Sequence, residues 1–390
     1  MTSLASKKRL RAKLTKWREM MSNWDEIIST KPQVVQESVR RGIPSPLRGH
    51  LWMSLTSATI LKHNHPGLYA QCLMAQGDGI SNLDEVDDGN SENSNSGISS
   101  TSSPVTTSPP NRPATPNNAR ETREETISRD VGRTFPKHQQ FRDCGGLGQR
   151  SLYHVLRAYS ILDTNVGYCQ GMGYIVALLL TTMCEESAFW TLVSLMKSAK
   201  YSMSGLFRTG LPRLQLYQHM LESLLRERQK ETAEHLFDSL GVIPSSFAPQ
   251  WIMTIFTSSF PLESALRVWD VFLNEGWPFI FQVMMAMMKL ASKELLLMSN
   301  FEDALKLLCD DIPRTIPMNV LLENSYNVIL SKEEYHSLEQ SSINKLVEQY
   351  GMDENETKLE TGTSSSLYSI NEPSKPKIES STTVNVKKEK

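Results

Sequence analysis

Two short motifs contain the side chains best suited to chemistry, and both suit a phosphate group. The first is Ile127-Ser-Arg-Asp130-Val-Gly-Arg133-Thr134, and the second is Gly167-Tyr168-Cys169-Gln170-Gly171-Met172. Arg133 offers a planar, permanently charged guanidinium that can bind phosphate oxygens in a bidentate way. Gln170 offers an amide that both donates and accepts hydrogen bonds, which is what orienting a water requires. Together they predict assistance to a phosphoryl transfer.

Both side chains occur where the backbone is expected to turn tightly. Arg133 comes shortly before Phe135-Pro136, and the residue that precedes a proline is biased away from the helical region. Gln170 precedes Gly171, which permits close backbone approach. The chain contains no G-x-x-x-x-G-K-[ST] phosphate loop. We therefore expect another molecule to supply the phosphate.

The composition indicates a folded core with polar additions. The chain has 390 residues, a formal net charge of -2 and 39% hydrophobic residues. That hydrophobic share lies below the usual globular value, so we expect sizeable disordered segments around a normal core. The near-neutral charge gives no argument for nucleic-acid binding.

Cysteines, histidines and apolar runs argue against several kinds of site. The cysteines are widely spaced without a C-x-x-C pair, which indicates free thiols in a reducing compartment. We predict no metal site, because His50, His63 and His65 lack acidic or cysteine partners at ligand spacing. The longest apolar run, Met172 to Met183, is shorter than the roughly 20 residues of a membrane span, and the N-terminus has no secretory signal. We expect a cytoplasmic protein that contacts endomembranes peripherally.

A basic segment, residues 1–35, precedes the predicted domain. Residues 1–18 contain seven lysines and arginines and no acid, and Leu4, Leu10, Leu14 and Trp17 recur at near-helical spacing. Two interpretations stay open. The segment is either a solvated basic helix that leads into the domain or a peripheral contact with an acidic membrane surface.

Two polar stretches are predicted to be disordered. Residues 77–119 are rich in Ser, Asn, Asp, Thr and Pro, and residues 351–390 form a polar tail. The first stretch is either an inert insertion or a regulatory one, since Ser103, Ser108 and Thr115 each precede a proline. Our hypothesis is that phosphates added there tune access to Arg133. Equal activity of the intact, phosphorylated and shortened chains would contradict it.

The rest of the chain predicts an all-α fold. From Arg150 onward, apolar residues repeat at helical spacing, first at Leu152, Val155, Leu156, Tyr159 and Leu162. The segment that follows Gly171 is apolar nearly all round, which is typical of a buried helix. No convincing period-2 strand occurs between these helical stretches.

Four blocks of residues, in order, resemble the TBC domain family of GTPase-activating proteins for Rab GTPases. The blocks are Arg41-Gly-Ile-Pro with Leu47-Arg48 and Trp52, the Ile127 to Thr134 motif, Tyr168 to Met172, and Trp251 to Phe256 followed by Arg267 to Phe272 and Glu275-Gly276. The resemblance covers about residues 36–300, interrupted by the insertion. It implies a two-lobed, multi-helix TBC domain, with further C-terminal helices over 301–350.

The resemblance also implies a mechanism with two fingers. Arg133 would enter the active site of the GTPase and neutralise charge on the phosphates, and Gln170 would orient the attacking water. The chain would then need no cofactor, since GTP and Mg²⁺ arrive with the GTP-bound Rab. It would be a GTPase activator in vesicle trafficking, without a nucleotide site of its own.

Eight further residues receive roles from the same resemblance. Asp130 would hold the arginine by pairing or capping, Thr134 would anchor the turn, and Tyr168 and Gly171 would shape the glutamine loop. Four residues are predicted to be structural: Arg48, Trp52, Trp269 and Asp270.

Three other interpretations compete with this one. The domain could bind a GTPase or a scaffold without catalysis, or it could be a helical adaptor unrelated to GTPases. The presence of both Arg133 and Gln170 favours an activator over either. The third interpretation is catalysis by Cys169 as a nucleophile. It is a poor candidate, because it lies beside an apolar helix without a paired histidine.

Overall fold

The computed structural model describes residues 4–75 and 122–350. Within these ranges the chain is helical and forms no strand, which confirms the predicted all-α fold. None of these helices is both long enough and apolar enough to cross a bilayer. The predicted insertion at 77–119 and the predicted tail at 351–390 lie outside the described residues.

The N-terminal half contains ten helices among the described residues. Six precede the gap: α1 (Leu4–Ser22), α2 (Trp24–Thr30), α3 (Pro32–Arg40), α4 (Ser45–Leu55), α5 (Ala58–Asn64) and α6 (Leu68–Met74). Four follow it: α7 (Arg123–Arg133), α8 (Leu147–Leu162), α9 (Met172–Leu180) and α10 (Glu185–Lys197). The apolar face predicted for α8 is buried along its whole length. Eight of the nine residues of α9 are also buried, as expected for a segment that is apolar all round.

The C-terminal half continues as helices with two π-helical turns and one 3₁₀ turn. The α-helices are α11 (Pro212–Arg228), α12 (Lys230–Ala233), α13 (Pro244–Thr254), α14 (Leu262–Glu275), α15 (Trp277–Leu295), α16 (Phe301–Lys306), α17 (Ile312–Thr315), α18 (Met318–Tyr326) and α19 (Lys332–Tyr350). The 3₁₀ turn is Met203–Leu206, and the π-helical turns are Glu234–Ser239 and Leu307–Asp311. Gly276 separates α14 from α15 with a φ of 77°, a conformation that glycine adopts readily.

The helices pack as two groups. In the first group, α4 to α10 pack around α8 and α10. In the second group, α11 to α19 pack mainly around α11 and α15. The groups meet where α9 contacts α13 and where α4 contacts α14. This arrangement corresponds to the two lobes that the family resemblance implies.

A buried polar network joins α4 to α14 at the second of these contacts. Asp270 is completely buried, and its Oδ1 accepts hydrogen bonds from Arg48 Nε at 2.9 Å and from Trp52 Nε1 at 2.9 Å. The Trp269 indole donates to Thr257 Oγ1 at 2.9 Å, and the Trp52 and Trp269 rings lie 6.0 Å apart. A buried carboxylate costs much free energy unless it is paired, and here an arginine and an indole satisfy it. All four predicted structural residues therefore lie at this junction.

Both ends of the gap at 76–121 are held against α8. Arg157 Nη2 donates to the Ala75 carbonyl at 2.7 Å on one side. On the other side Arg123 Nη1 donates to the Ser160 carbonyl at 3.0 Å. Residues 157 and 160 are one helical turn apart, so the chain leaves and re-enters the domain at neighbouring points. The helix that ends in Arg133 begins directly at the second point.

Candidate functional site

Arg133 is the last residue of α7. The helix begins with a capping box, in which the Thr122 side chain accepts from the Glu125 amide and the Glu125 side chain accepts from the Thr122 amide. It ends because Phe135 has a φ of 47° and precedes Pro136. The chain turn therefore occurs directly after Arg133, as predicted. The Arg133 side chain is 50% exposed and is able to reach a docked partner.

A buried carboxylate holds this arginine. Asp130 is only 4% exposed, and its Oδ1 forms an ion pair with Arg133 Nη2. No group in the described chain gives this Oδ1 a well-aligned hydrogen bond. The other oxygen, Oδ2, accepts from the Tyr168 hydroxyl at 2.6 Å. Arg133 is therefore held by charge more than by a directional bond, which leaves its guanidinium available to a stronger anion.

Gln170 occupies a tight turn between α8 and α9. Two glycines with positive φ flank it, Gly167 at 59° and Gly171 at 104°. A Cβ atom on Gly171 would have ordinary contacts of 3.9 Å, so the backbone conformation, and not lack of space, requires glycine there. Gln170 is exposed, and its amide makes no hydrogen bond to any residue the structure describes. Its side chain is therefore free to bind a water.

Two contacts join the arginine motif to the glutamine motif. One is the Tyr168–Asp130 hydrogen bond, which connects residues 38 positions apart. The other is a close approach of α9 to Thr134, since a Cβ on Gly173 would lie 3.0 Å from Thr134 Oγ1. That hydroxyl also donates to the Asp130 carbonyl at 2.7 Å. The structure therefore brings together six predicted site residues: Asp130, Arg133, Thr134, Tyr168, Gln170 and Gly171.

Gly173 is a residue of this site that the sequence prediction missed. Gly173 is the second residue of α9, and glycine is a poor helix former, so its presence there needs a reason. The reason is the close contact between α9 and Thr134, because a Cβ at this position would lie 3.0 Å from the hydroxyl oxygen and would force it to shift. The signal in the sequence was a second glycine two residues after Gly171.

Strained backbone surrounds the glutamine turn. Ile255 and Phe256 follow α13 with φ values of 48° and 60°, although both are fully buried. β-Branched and aromatic residues rarely adopt this conformation, and it persists only where the surroundings impose it. The last two residues of α13, Met253 and Thr254, lie 3.9 Å from a Cβ placed on Gly171. The second lobe therefore supports the turn that presents Gln170.

Burial keeps the neighbouring titratable groups protonated. Burial, followed by the hydrogen bond to Asp130, raises the pKa of the Tyr168 hydroxyl. The hydroxyl therefore stays a donor to the carboxylate. Burial also raises the pKa of the Cys169 thiol, and the Asp130 charge adds to the effect. A thiol with a raised pKa is a weak nucleophile, which agrees with the low rank given to Cys169.

Comparison with known proteins identifies similar chains. A family model described as Rab-GTPase-TBC domain matches residues 45–296, a range that contains both motifs and the Asp270 network. The Rab GTPase-activating protein tbc-11 of Caenorhabditis elegans is 32% identical over 301 residues, which cover 77% of this chain and 27% of that protein. Carabin of Mus musculus is 31% identical over 282 residues, which cover 72% of this chain and 53% of Carabin. The chain thus matches between a quarter and about half of the length of these relatives.

Solved structures agree on the fold. The Chlamydomonas flagellar RabGAP TBC domain superposes with a TM-score of 0.58 at 22% identity, over 83% of this chain and 96% of that one. The Ypt/Rab-GAP domain of Gyp1p gives a TM-score of 0.54 at 17% identity, over 79% and 97%. Since the matched family model spans well over half of the sequence, this chain belongs to the Rab-GTPase-TBC domain family.

Proposed function

We propose that this chain is a GTPase-activating protein for Rab GTPases that supplies Arg133 and Gln170 in trans. The observation that supports this most is the pairing of the two motifs. An exposed arginine and an exposed glutamine, from separate segments, are held in one constellation by the Asp130–Tyr168 hydrogen bond. One residue suits the phosphate charge and the other suits the attacking water.

In this proposal Arg133 moves from Asp130 to the phosphates of the bound nucleotide. A phosphate offers the guanidinium two aligned hydrogen bonds, whereas Asp130 offers an ion pair without good alignment. The Tyr168 hydroxyl continues to donate to Asp130, so the carboxylate is not left unpaired after Arg133 departs. Arginine fingers of other GTPase activators contribute about 10³–10⁵ in rate.

Gln170 has the complementary role in this proposal. Its amide donates to and accepts from the water that attacks the terminal phosphate. GTP and Mg²⁺ come with the Rab partner, because the chain has no phosphate loop of its own.

The same proposal assigns the chain to vesicle trafficking, in the cytoplasm and peripherally on endomembranes. The basic N-terminal helix adds a second proposed contact, with an acidic membrane surface.

The test is single-turnover GTP hydrolysis by a panel of purified Rab proteins. Wild type is compared with Arg133→Ala and Gln170→Ala, and binding to each Rab is measured in parallel. Arg314→Ala is the control, because Arg314 is, like Arg133, an exposed arginine that pairs with an aspartate close to it in sequence; its partner Asp310 is half exposed, whereas Asp130 is buried. We expect wild type and the control to accelerate one or a few Rabs and both finger variants to fail. A folded wild type that binds Rabs without accelerating any would make the domain a non-catalytic GTPase-binding module.

The hydrogen bond from Tyr168 gives a separate prediction. Tyr168→Phe removes the donor to Asp130 and should lower the maximal stimulated rate by about tenfold, the magnitude of a lost hydrogen bond to a charged group. The Rab concentration for half-maximal stimulation should change little, because Tyr168 acts through Asp130 and Arg133. In combination with Asp130→Asn the loss should be less than the product of the single losses.

Tyr174→Phe provides the control for this experiment. Tyr174 belongs to α9 beside the same site, and its hydroxyl makes no hydrogen bond within the part of the chain that the structure describes. The maximal stimulated rate with Tyr174→Phe should equal that with wild type. Tyr168 does not position the arginine if the maximal rate falls equally in Tyr168→Phe and Tyr174→Phe. The same conclusion follows if Tyr168→Phe changes only the Rab concentration for half-maximal stimulation.

A further inference from the structure

The N-terminal helix α1 presents a strip of unpaired cations. It contains seven basic residues and one acid, Glu19. Lys8, Arg11, Lys16 and Arg18 are all exposed. Among the described residues, none of these four has an ion-pair partner.

Helix geometry places three of these cations on one face. Lys8, Arg11 and Arg18 are spaced i, i+3 and i+10, which confines them to an arc of roughly 80° over about 15 Å of helix. Trp17 points to the other side, since Lys8 and Trp17 are nine residues apart, or about half a turn in angle. The cations therefore face away from the side of the helix that contacts the domain.

Two apolar side chains near the C-terminal end of α1 are packed into the domain. Trp17 is 2% exposed and Met20 is 5% exposed, so both belong to the core of the domain. Lys13 Nζ also donates to the carbonyl of Arg41, in the turn before α4, at 3.3 Å. The helix is thus attached to the domain through Trp17 and Met20, so these two side chains are not available for insertion into a bilayer. Of the two interpretations left open for the basic segment, a membrane contact would therefore have to use the charged face of α1.

Charge elsewhere in the chain would orient such a contact. The net charge of the chain is -2, and residues 1–18 contribute seven positive charges, so the remainder carries -9. The net positive charge is therefore concentrated in α1, which is the part of the chain that an acidic surface attracts. Single-stranded nucleic acid is a poorer match, because such binding also uses exposed aromatic side chains for stacking and Trp17 is buried.

We propose that the Lys8, Arg11 and Arg18 face of α1 binds the surface of an anionic lipid bilayer by charge alone, without insertion. Each cation near such a surface contributes favourably, and the attraction decays within a Debye length. Binding therefore depends strongly on salt and on anionic lipid, but not on a particular headgroup. This inference needs only the charge and packing of α1, and it is independent of the proposed GTPase activation.

The experiment is co-sedimentation of the full chain with vesicles of phosphatidylcholine, alone or mixed with phosphatidylserine. We expect binding to the mixed vesicles only, with release at several-fold higher salt. K8Q/R11Q/R18Q should lower the partition coefficient by about a hundredfold, since three favourable charges are lost. K289Q/K293Q/K345Q makes the same charge change at exposed positions of α15 and α19, and should bind like wild type.

Four results would overturn the proposal. They are wild type that binds no vesicles, equal binding to neutral vesicles, binding that persists in high salt, and a K8Q/R11Q/R18Q variant that binds like wild type. The first would leave α1 as a solvated helix or a contact for an acidic protein. Stimulation of a soluble Rab without vesicles should be unchanged in K8Q/R11Q/R18Q, so failure of the lipid proposal and failure of the GTPase proposal are distinguishable.

Discussion

Arg133→Ala should lower the stimulated rate of GTP hydrolysis by about 10³–10⁵, the range known for arginine fingers of other activators. Arg133→Lys should show most of this loss, because lysine keeps the charge but lacks the planar fork that binds two oxygens at once. The measurement is single-turnover hydrolysis with the Rab that responds most strongly to wild type. Since Arg133 is half exposed at a helix end, neither change should disturb the fold.

Binding and stability measurements distinguish a loss of catalysis from a loss of Rab binding or of folding. Arg133→Lys keeps a charge beside the buried Asp130 and should retain the thermal unfolding midpoint of wild type, whereas Arg133→Ala leaves that carboxylate without its cation and should unfold at a somewhat lower temperature. Both variants should still bind the GTP-bound Rab. The control Arg314→Ala breaks an exposed pair with Asp310 in the second group of helices and should keep the full rate. An Arg133→Lys variant that stimulates hydrolysis as well as wild type would contradict the bidentate role of the guanidinium.

Asp270→Ala should lower the free energy of unfolding by about 3–5 kcal/mol, the usual cost of breaking a buried ion pair by removing one partner. The change leaves Arg48 with a buried guanidinium whose partner at 2.9 Å is gone, and it also removes the acceptor of the Trp52 indole. Because Asp270 joins α4 to α14, the loss affects the junction of the two lobes. The measurement is urea or guanidinium unfolding followed by circular dichroism.

Asp238→Ala is the matched control for this stability prediction. Asp238 also pairs with an arginine, Arg226, at 3.0 Å, but both side chains are about half exposed. Exposed pairs contribute roughly 0–1 kcal/mol, so this variant should unfold close to wild type. A similar small loss in both variants would show that the Asp270 network does not hold the lobes together.

The sequence by itself determined the helical class and the family, and it contained the two motifs that we propose act on the phosphate. Helical spacing from Leu152 to Leu162 predicted a face that the structure buries completely, because local periodicity decides which side of a helix can be covered. Gly171 before the predicted buried helix indicated a turn, and the turn is there with a positive φ. These features are encoded by neighbouring residues, which is why they can be read without coordinates.

Only the tertiary structure decided how the motifs meet and which surfaces remain free. The Tyr168–Asp130 bond, the approach of Gly173 to Thr134 and the strained Ile255 and Phe256 depend on contacts between distant segments. The same holds for Trp17, whose helical spacing is equally compatible with a bilayer or a protein core, and which the fold buries. Periodicity specifies a face, but the partner of that face is chosen by packing across the whole chain.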